Sequence, residues 1–305
     1  MTAITFQPLT SRRGALAALS AHLLVALIAL VGIGGATRVM EAGLACPDWP
    51  LCYGSLLPGQ QMNLQVFLEW FHRLDAFVVG MGLLVQALVS WWWRRELPRW
   101  VPLLSAIALM LVAVQGALGA LTVTLLLPFP VVTAHLITAL LLVAVLSGCT
   151  QALLDEPWPA PIPPAVRQGR WFGLWPWLLG LVLLLAALQC LLGGLMATQW
   201  AAGRCLSSGE ACGWLLAHRF GARPVAGAVL AASALAVWLR PADRILAALA
   251  AALVLSQIAL GVFSLRLTLA VPAVTVAHQL GAALLVAVLT ALFSRSLLRP
   301  LQEVH

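Results

Sequence analysis

Residues 115–140 read QGALGALTVTLLLPFPVVTAHLITAL, and residues 257–283 read QIALGVFSLRLTLAVPAVTVAHQLGAA. Each runs Gln-x-Ala-Leu-Gly, then an apolar stretch with a Pro, then a His: His135 in the first and His278 in the second. A second pair of stretches repeats in the same order. Residues 69–84 read EWFHRLDAFVVGMGLL and residues 215–230 read LLAHRFGARPVAGAVL, carrying His72-Arg73 and His218-Arg219. The chain is therefore written twice, with two histidines per copy. Imidazoles inside strongly apolar sequence are expensive to keep in lipid, so each is a functional hypothesis by default.

The surrounding composition decides the class. Of 305 residues, 62% are hydrophobic and 9% charged, and the mean hydropathy is +1.00. Such a chain is not a water-soluble globule. Apolar runs of 18 or more residues recur along it, each long enough for a bilayer core of about 30 Å. Eight spans follow, over 14–37, 66–93, 100–125, 131–152, 173–200, 213–239, 243–268 and 272–298. The first reads as a retained span rather than a cleaved signal, because no small-residue cleavage site follows it.

Every one of the 17 basic residues is Arg, and the net charge is +7. The positive-inside rule accounts for that charge without a nucleic-acid partner. Arg12, Arg13, Arg94, Arg95, Arg99, Arg167, Arg170, Arg240, Arg244, Arg295 and Arg299 flank one set of span ends. The opposite loops hold Arg38, Arg204 and Arg266. The expected topology has both termini cytoplasmic and the loops after spans 1, 3, 5 and 7 outside.

With four spans in each half, the halves share one orientation and are expected to be related by a pseudo-twofold axis along the membrane normal. The expected fold is all-α: two four-helix bundles side by side, over 1–152 and 173–305. Residues 153–172, LLDEPWPAPIPPAVRQGRWF, are Pro-rich and charged and read as the linker. Spans 2, 4, 6 and 8 all begin outside, and each has its His near its start. At 1.5 Å per residue these imidazoles share a depth of about 8 Å below the outer edge. His72 can face His135, and His218 can face His278, which is the arrangement that bis-histidine ligation of haem iron needs. The other reading is a polar side chain bonded to a neighbouring helix, and the duplicated pairing argues against it. His22, with no counterpart in span 5, reads as structural or cavity-lining.

Three further features carry chemistry. Arg73 and Arg219 sit at the outer rim, where guanidinium either binds haem propionates or snorkels. Cys46 and Cys52 in CPDWPLC, and Cys205 and Cys212 in CLSSGEAC, lie in outward loops where disulfides are permitted. Their spacing fits neither a zinc knuckle nor covalent haem attachment. Cys149 and Cys190 fall in span sequence and read as small buried residues. Finally, Glu69 stands three residues before His72, whereas Leu215 stands three before His218. That spacing shares a helix face, so the carboxyl can move protons or stabilise a developing cation. Otherwise it is an interfacial residue at a helix start. Asp75 adds a second carboxyl near His72, which Arg73 can neutralise.

The residues GGATR (34–38), GLACPDWPLCYG (43–54), Glu69-Trp70-Phe71-His72-Arg73, the span-3 Gln-Gly-Ala-Leu-Gly and the histidines of spans 4, 6 and 8 together resemble the haem A synthase family of cytochrome oxidase assembly enzymes. The resemblance covers nearly the whole chain. It implies an oxidoreductase in a bacterial inner membrane that converts a methyl substituent of haem O to the formyl group of haem A. It further implies a resident haem b on His218 and His278, and a substrate haem between His72 and His135 with Glu69 beside it. Membrane lipid, haem O synthase and cytochrome oxidase assembly factors are the partners it suggests. Two other classes compete. A dihaem b-type electron-transfer cytochrome would keep both haems unaltered. A transporter with histidine proton relays would place polar residues at the midplane rather than in the outer third.

Overall fold

The computed structural model describes residues 12–154 and 172–298. Most of the expected linker, with Arg167 and Arg170, and the tail with Arg299 and His305, lie outside the described residues. Within them the secondary structure is entirely helical apart from one isolated bridge between Cys52 and Ser55. The long helices are α1 (Arg12–Val39), α2 (Leu64–Trp92), α3 (Trp100–Thr124), α4 (Phe129–Leu154) and α5 (Trp175–Thr198). A short α6 (Ala201–Ser208) precedes α7 (Cys212–Leu239), α8 (Arg244–Arg266) and α9 (Pro272–Leu298). Eight of these are long and apolar enough to cross a membrane, and they coincide with the eight expected spans to within a few residues. The chain is an integral membrane protein. Helix α6 is the one element that span reading did not anticipate.

Local chemistry sets the helix ends. Asn63 caps α2 by accepting from the Val66 amide at 3.0 Å. The chain leaves α1, α3, α5 and α8 through left-handed residues, and the repeat shows in them. Leu126 and Leu127 after α3 have φ of 59° and 60°, and Thr268 and Leu269 after α8 have 51° and 62°. Glu41 after α1 and Trp200 after α5 match in the same way, at 55° and 54°. Each pair occupies the same repeat position, so the halves reverse direction by the same device. Pro224 inside α7 removes one ladder bond, which a helix packed among neighbours tolerates.

Helices α1 to α4 pack as one ring of neighbours and α5, α7, α8 and α9 as another, with α4 and α9 in contact at the centre. One apolar core lies between α5, α7, α8 and α9, around Val229, Ala236, Ala247 and Leu289. The other lies among α1, α2, α3 and α4, around Leu27, Leu83, Leu111 and Leu142, and it takes in Ala283, Val286 and Ala287 of α9. A buried hydrogen bond from Ser147 Oγ to the Ala287 carbonyl (2.7 Å) joins α4 to α9. In lipid, such polar contacts and small-residue packing hold helices together, because the solvent is as apolar as the core. Side chains such as Val25, Leu88, Trp177 and Ile245 remain exposed on the perimeter, where lipid covers them.

The halves differ inside. At the end of the N-terminal ring away from the cysteine loops, Ser90 and Ser105 hydroxyls bond at 2.9 Å, and Ser20 and Thr150 at 2.8 Å. The Gln86 amide lies against Ser105 and Cys149. At the matching repeat positions the C-terminal half has Leu179, Ala232, Ala236, Ala247, Leu292 and Phe293, all apolar. Gln86 is 14 residues beyond His72, or about 21 Å along the helix. This polar cluster therefore ties helices together far from the histidines. It is a second polar zone that the sequence reading, focused on the outer third, did not include.

Candidate functional site

Both pairs of histidines lie toward the end of the molecule that carries the cysteines, here termed the cysteine face. The His218 and His278 ring centroids are 6.3 Å apart and the rings are perpendicular, at 87°. Two metal–imidazole bonds of about 2 Å plus two ring radii account for that separation. His72 and His135 are near enough to interact electrostatically. The Nδ1 atoms of His72, His135 and His278 are buried without a hydrogen-bond partner, and no protein group bonds Nε2 of any of the four among the described residues. Buried imidazoles left this unsatisfied fit a ligand-binding role better than a packing role. The residues present therefore fit iron held between two imidazoles.

Space for the rings is made by glycine. A methyl group on Gly34 would come within 2.9 Å of His72 Cε1, and one on Gly193 within 2.9 Å of His218 Cε1. The next glycines reach across to the other half. Gly35 of α1 packs on Gln279, the residue after His278, and Gly194 of α5 packs on Leu136, the residue after His135. One Gly-Gly pair per half thus seats its own histidine and the neighbouring half's helix at once. The Gly-Gly pairs at 34–35 and 193–194 were visible in the sequence, but their contacts were not.

The second coordination sphere is unequal. Gln115 Nε2 donates to the His135 carbonyl at 2.9 Å. In the C-terminal half the Gln189 amide lies 2.8 Å from the His218 carbonyl and 3.0 Å from His218 Nδ1. The residue at the matching position of α1 is Leu30. Sequence reasoning passed over Gln189, although a lone amide in an otherwise apolar span was the available signal.

Glu69 and Arg73 are both engaged by the loop between α1 and α2. Glu69 is 4% exposed, one and a half turns inside α2 rather than solvated at its start. One carboxylate oxygen accepts from the Cys46 amide at 2.8 Å, and the other is ion-paired to Arg73. Arg73 Nη1 also donates to the carbonyls of Asp48 (2.6 Å) and Leu51 (2.5 Å). The CPDWPLC loop is thereby clamped to the helix that carries His72. Within the loop, Asp48 accepts from the amides of Tyr53 (2.6 Å) and Gly54 (2.8 Å), and Trp70 Nε1 donates to the Leu56 carbonyl at 2.6 Å. Arg73 is consumed by the loop, whereas Arg219 is exposed and has no partner among the described residues. Asp75 is not paired with Arg73. His22 is satisfied in its own helix, Nδ1 lying 2.7 Å from the Ala18 carbonyl.

Both expected disulfides are formed, Cys46–Cys52 and Cys205–Cys212, each with Cα atoms 4.8 Å apart. Cys149 and Cys190 are free thiols. Alkylation of denatured protein kept from reductant is therefore expected to label Cys149 and Cys190 alone, and all six cysteines after reduction. Label on Cys46 or Cys52 without reductant, read by mass spectrometry, would refute the first bridge.

A model of the COX15-CtaA family, described as cytochrome oxidase assembly protein, matches residues 17–290. The chain belongs to the COX15-CtaA family. Among its relatives are a haem A synthase of Shewanella oneidensis, 35% identical over 40% of this chain and 41% of that protein. Another, of Sphingopyxis alaskensis, is 31% identical over 62% of each chain. A third, of Erythrobacter litoralis, is 29% identical over 61% of each. The matched segments thus span less than two thirds of these relatives. As a COX15-CtaA member, the chain carries its histidine pairs and its cysteine loop inside the region that the family model covers.

Proposed function

We propose that this protein is a haem A synthase, an oxidoreductase that takes the methyl group of haem O to the formyl group of haem A. The observation that carries the reading is the combination of two buried histidine pairs with one carboxylate-clamped disulfide loop, present over one pair only. Family membership and the haem A synthase relatives support the same reading. A dihaem electron carrier would have no use for that asymmetry.

In this reading His218 and His278 hold a resident haem b, and the N-terminal half takes haem O between His72 and His135. A haem held by His218 and His278 would supply one-electron transfer. The protein's own groups do the rest. Gln189 donates to the His218 carbonyl and lies beside the ring, which limits how His218 can turn. The loop closed by Cys46–Cys52 covers the cysteine-face end of α2 beside His72. Glu69 keeps a negative charge one turn from His72, fixed by Arg73 and the Cys46 amide. Arg219 is free to meet propionates of the resident haem. The cysteine face lies outside and both termini are cytoplasmic, as the arginine distribution requires. Each half takes one haem in this reading, while α1 and α4 pack directly on α9. Haem O synthase and cytochrome oxidase assembly factors are the natural donors and acceptors of the haems.

The deciding experiment is extraction and chromatography of haems from membranes holding this protein, with and without a haem O source. Haem A formed only when both protein and haem O are present supports the reading; unaltered haem O with a bound haem b spectrum supports the dihaem carrier. A second test concerns Gln189. Gln189→Leu, which copies Leu30, is expected to weaken haem b retention by about 10–100-fold, the usual range for losing a partner of a ligating histidine. Transfer of haem to excess apomyoglobin measures it, and unchanged retention removes Gln189 from the site.

A further inference from the structure

We propose that Arg38 is the anchor for a carboxylate of the substrate porphyrin, binding a propionate at the cysteine-face rim of the N-terminal half. The proposal rests on the reading of that half as the substrate site. Arg38 ends the GGATR segment in the last turn of α1. Gly34, four residues earlier, is packed against the His72 ring. Positions i and i+4 share a helix face, so Arg38 lies on the His72 side of α1, about 6 Å nearer the cysteine face.

Its guanidinium is the unused cation of this rim. It makes no hydrogen bond and meets no carboxylate among the described residues. The guanidinium carbon lies over the ring of Trp200, 4.6 Å from its centroid. A guanidinium carries five N–H donors in a planar fork. The indole contact engages the π-face of Trp200 and uses none of the N–H donors in hydrogen bonds, leaving them for a carboxylate, which guanidinium binds in bidentate fashion. The other arginine near His72 cannot serve, because Arg73 is spent on Glu69 and the loop carbonyls.

The anchor belongs to one half only. The repeat position of Arg38 in α5 is Ala197, and the repeat position of Trp200 is Glu41. Each half thus contributes one member of the pair: the cation from α1, the indole from the end of α5. A propionate held here fixes which edge of the macrocycle faces the rim. That fixes which ring methyl faces the rest of the site, and so bears on the position of oxidation.

The test uses purified protein with its resident haem in place, titrated with haemin and with haemin dimethyl ester, whose carboxylates are blocked. Uptake is read as the absorbance change that His72→Ala abolishes. The parental protein is expected to prefer the free acid by roughly 10–100-fold, the worth of a charge-assisted hydrogen bond. Arg38→Gln should bring that preference close to one while the resident haem spectrum stays unchanged. Arg38→Lys should restore part of it, and Trp200→Leu should lower it. A parental preference that persists in Arg38→Gln overturns the anchor alone. Absence of any His72-dependent uptake in the parental protein overturns the substrate-site reading beneath it.

Discussion

Replacing His218 or His278 with Ala is expected to remove most of the low-spin haem b absorbance while the protein still inserts in the membrane. The two rings stand 6.3 Å apart on α7 and α9, with nothing bonded to either Nε2 among the described residues. Either variant would leave the haem only one of the two imidazoles that would hold it, and a single imidazole does not enforce a low-spin state. Insertion should survive, because the spans are set by apolar length and the core of this half is made by other residues such as Val229 and Leu289. Reduced-minus-oxidised spectra of solubilised membranes, normalised to protein by immunoblot, measure the effect. Two variants with parental low-spin signal would remove the resident haem from this site and move it to His72 and His135.

Glu69→Gln is expected to lower turnover of haem O by roughly 10²–10⁴-fold, the range for losing an electrostatic or acid–base group. The haem b spectrum should be retained, since Glu69 contacts neither His218 nor His278. The structure refines how the loss arises. Both carboxylate oxygens are engaged, by the Cys46 amide and by Arg73. A glutamine can still accept from the amide but no longer neutralises the arginine. If the carboxylate acts by fixing Arg73 and the loop, Arg73→Met should reproduce most of the loss. If it acts on the substrate directly, Arg73→Met should lose far less than Glu69→Gln. Haem A formation at the parental rate in Glu69→Gln would end both versions and turn attention to Asp75, which is unpaired among the described residues and one turn from His72.

The sequence by itself determined the class, the eight spans, the duplication, the positions of the four histidines in their spans and the two cysteine pairs. These are legible because lipid imposes its demand residue by residue: every span must be apolar over a set length, with its backbone bonds satisfied internally. A polar side chain in such a run stands out wherever it faces. What faces what was decided only in the tertiary structure. The spans are apolar all round, so their sequence does not encode how each helix is rotated against its neighbours. Arg73 therefore read equally well as a propionate ligand and as an interfacial residue, and its capture of the Cys46–Leu51 loop appeared only once α2 was docked beneath that loop. The burial of Glu69 against the Cys46 amide, beside its two sequence readings as catalytic carboxyl and helix-start residue, came to light for the same reason. Gln189 beside His218, the Gly-Gly pairs under the histidine rings and Arg38 stacked on Trp200 each join residues from different helices. Such contacts depend on helix rotation and crossing, quantities that hydropathy leaves open and packing alone resolves.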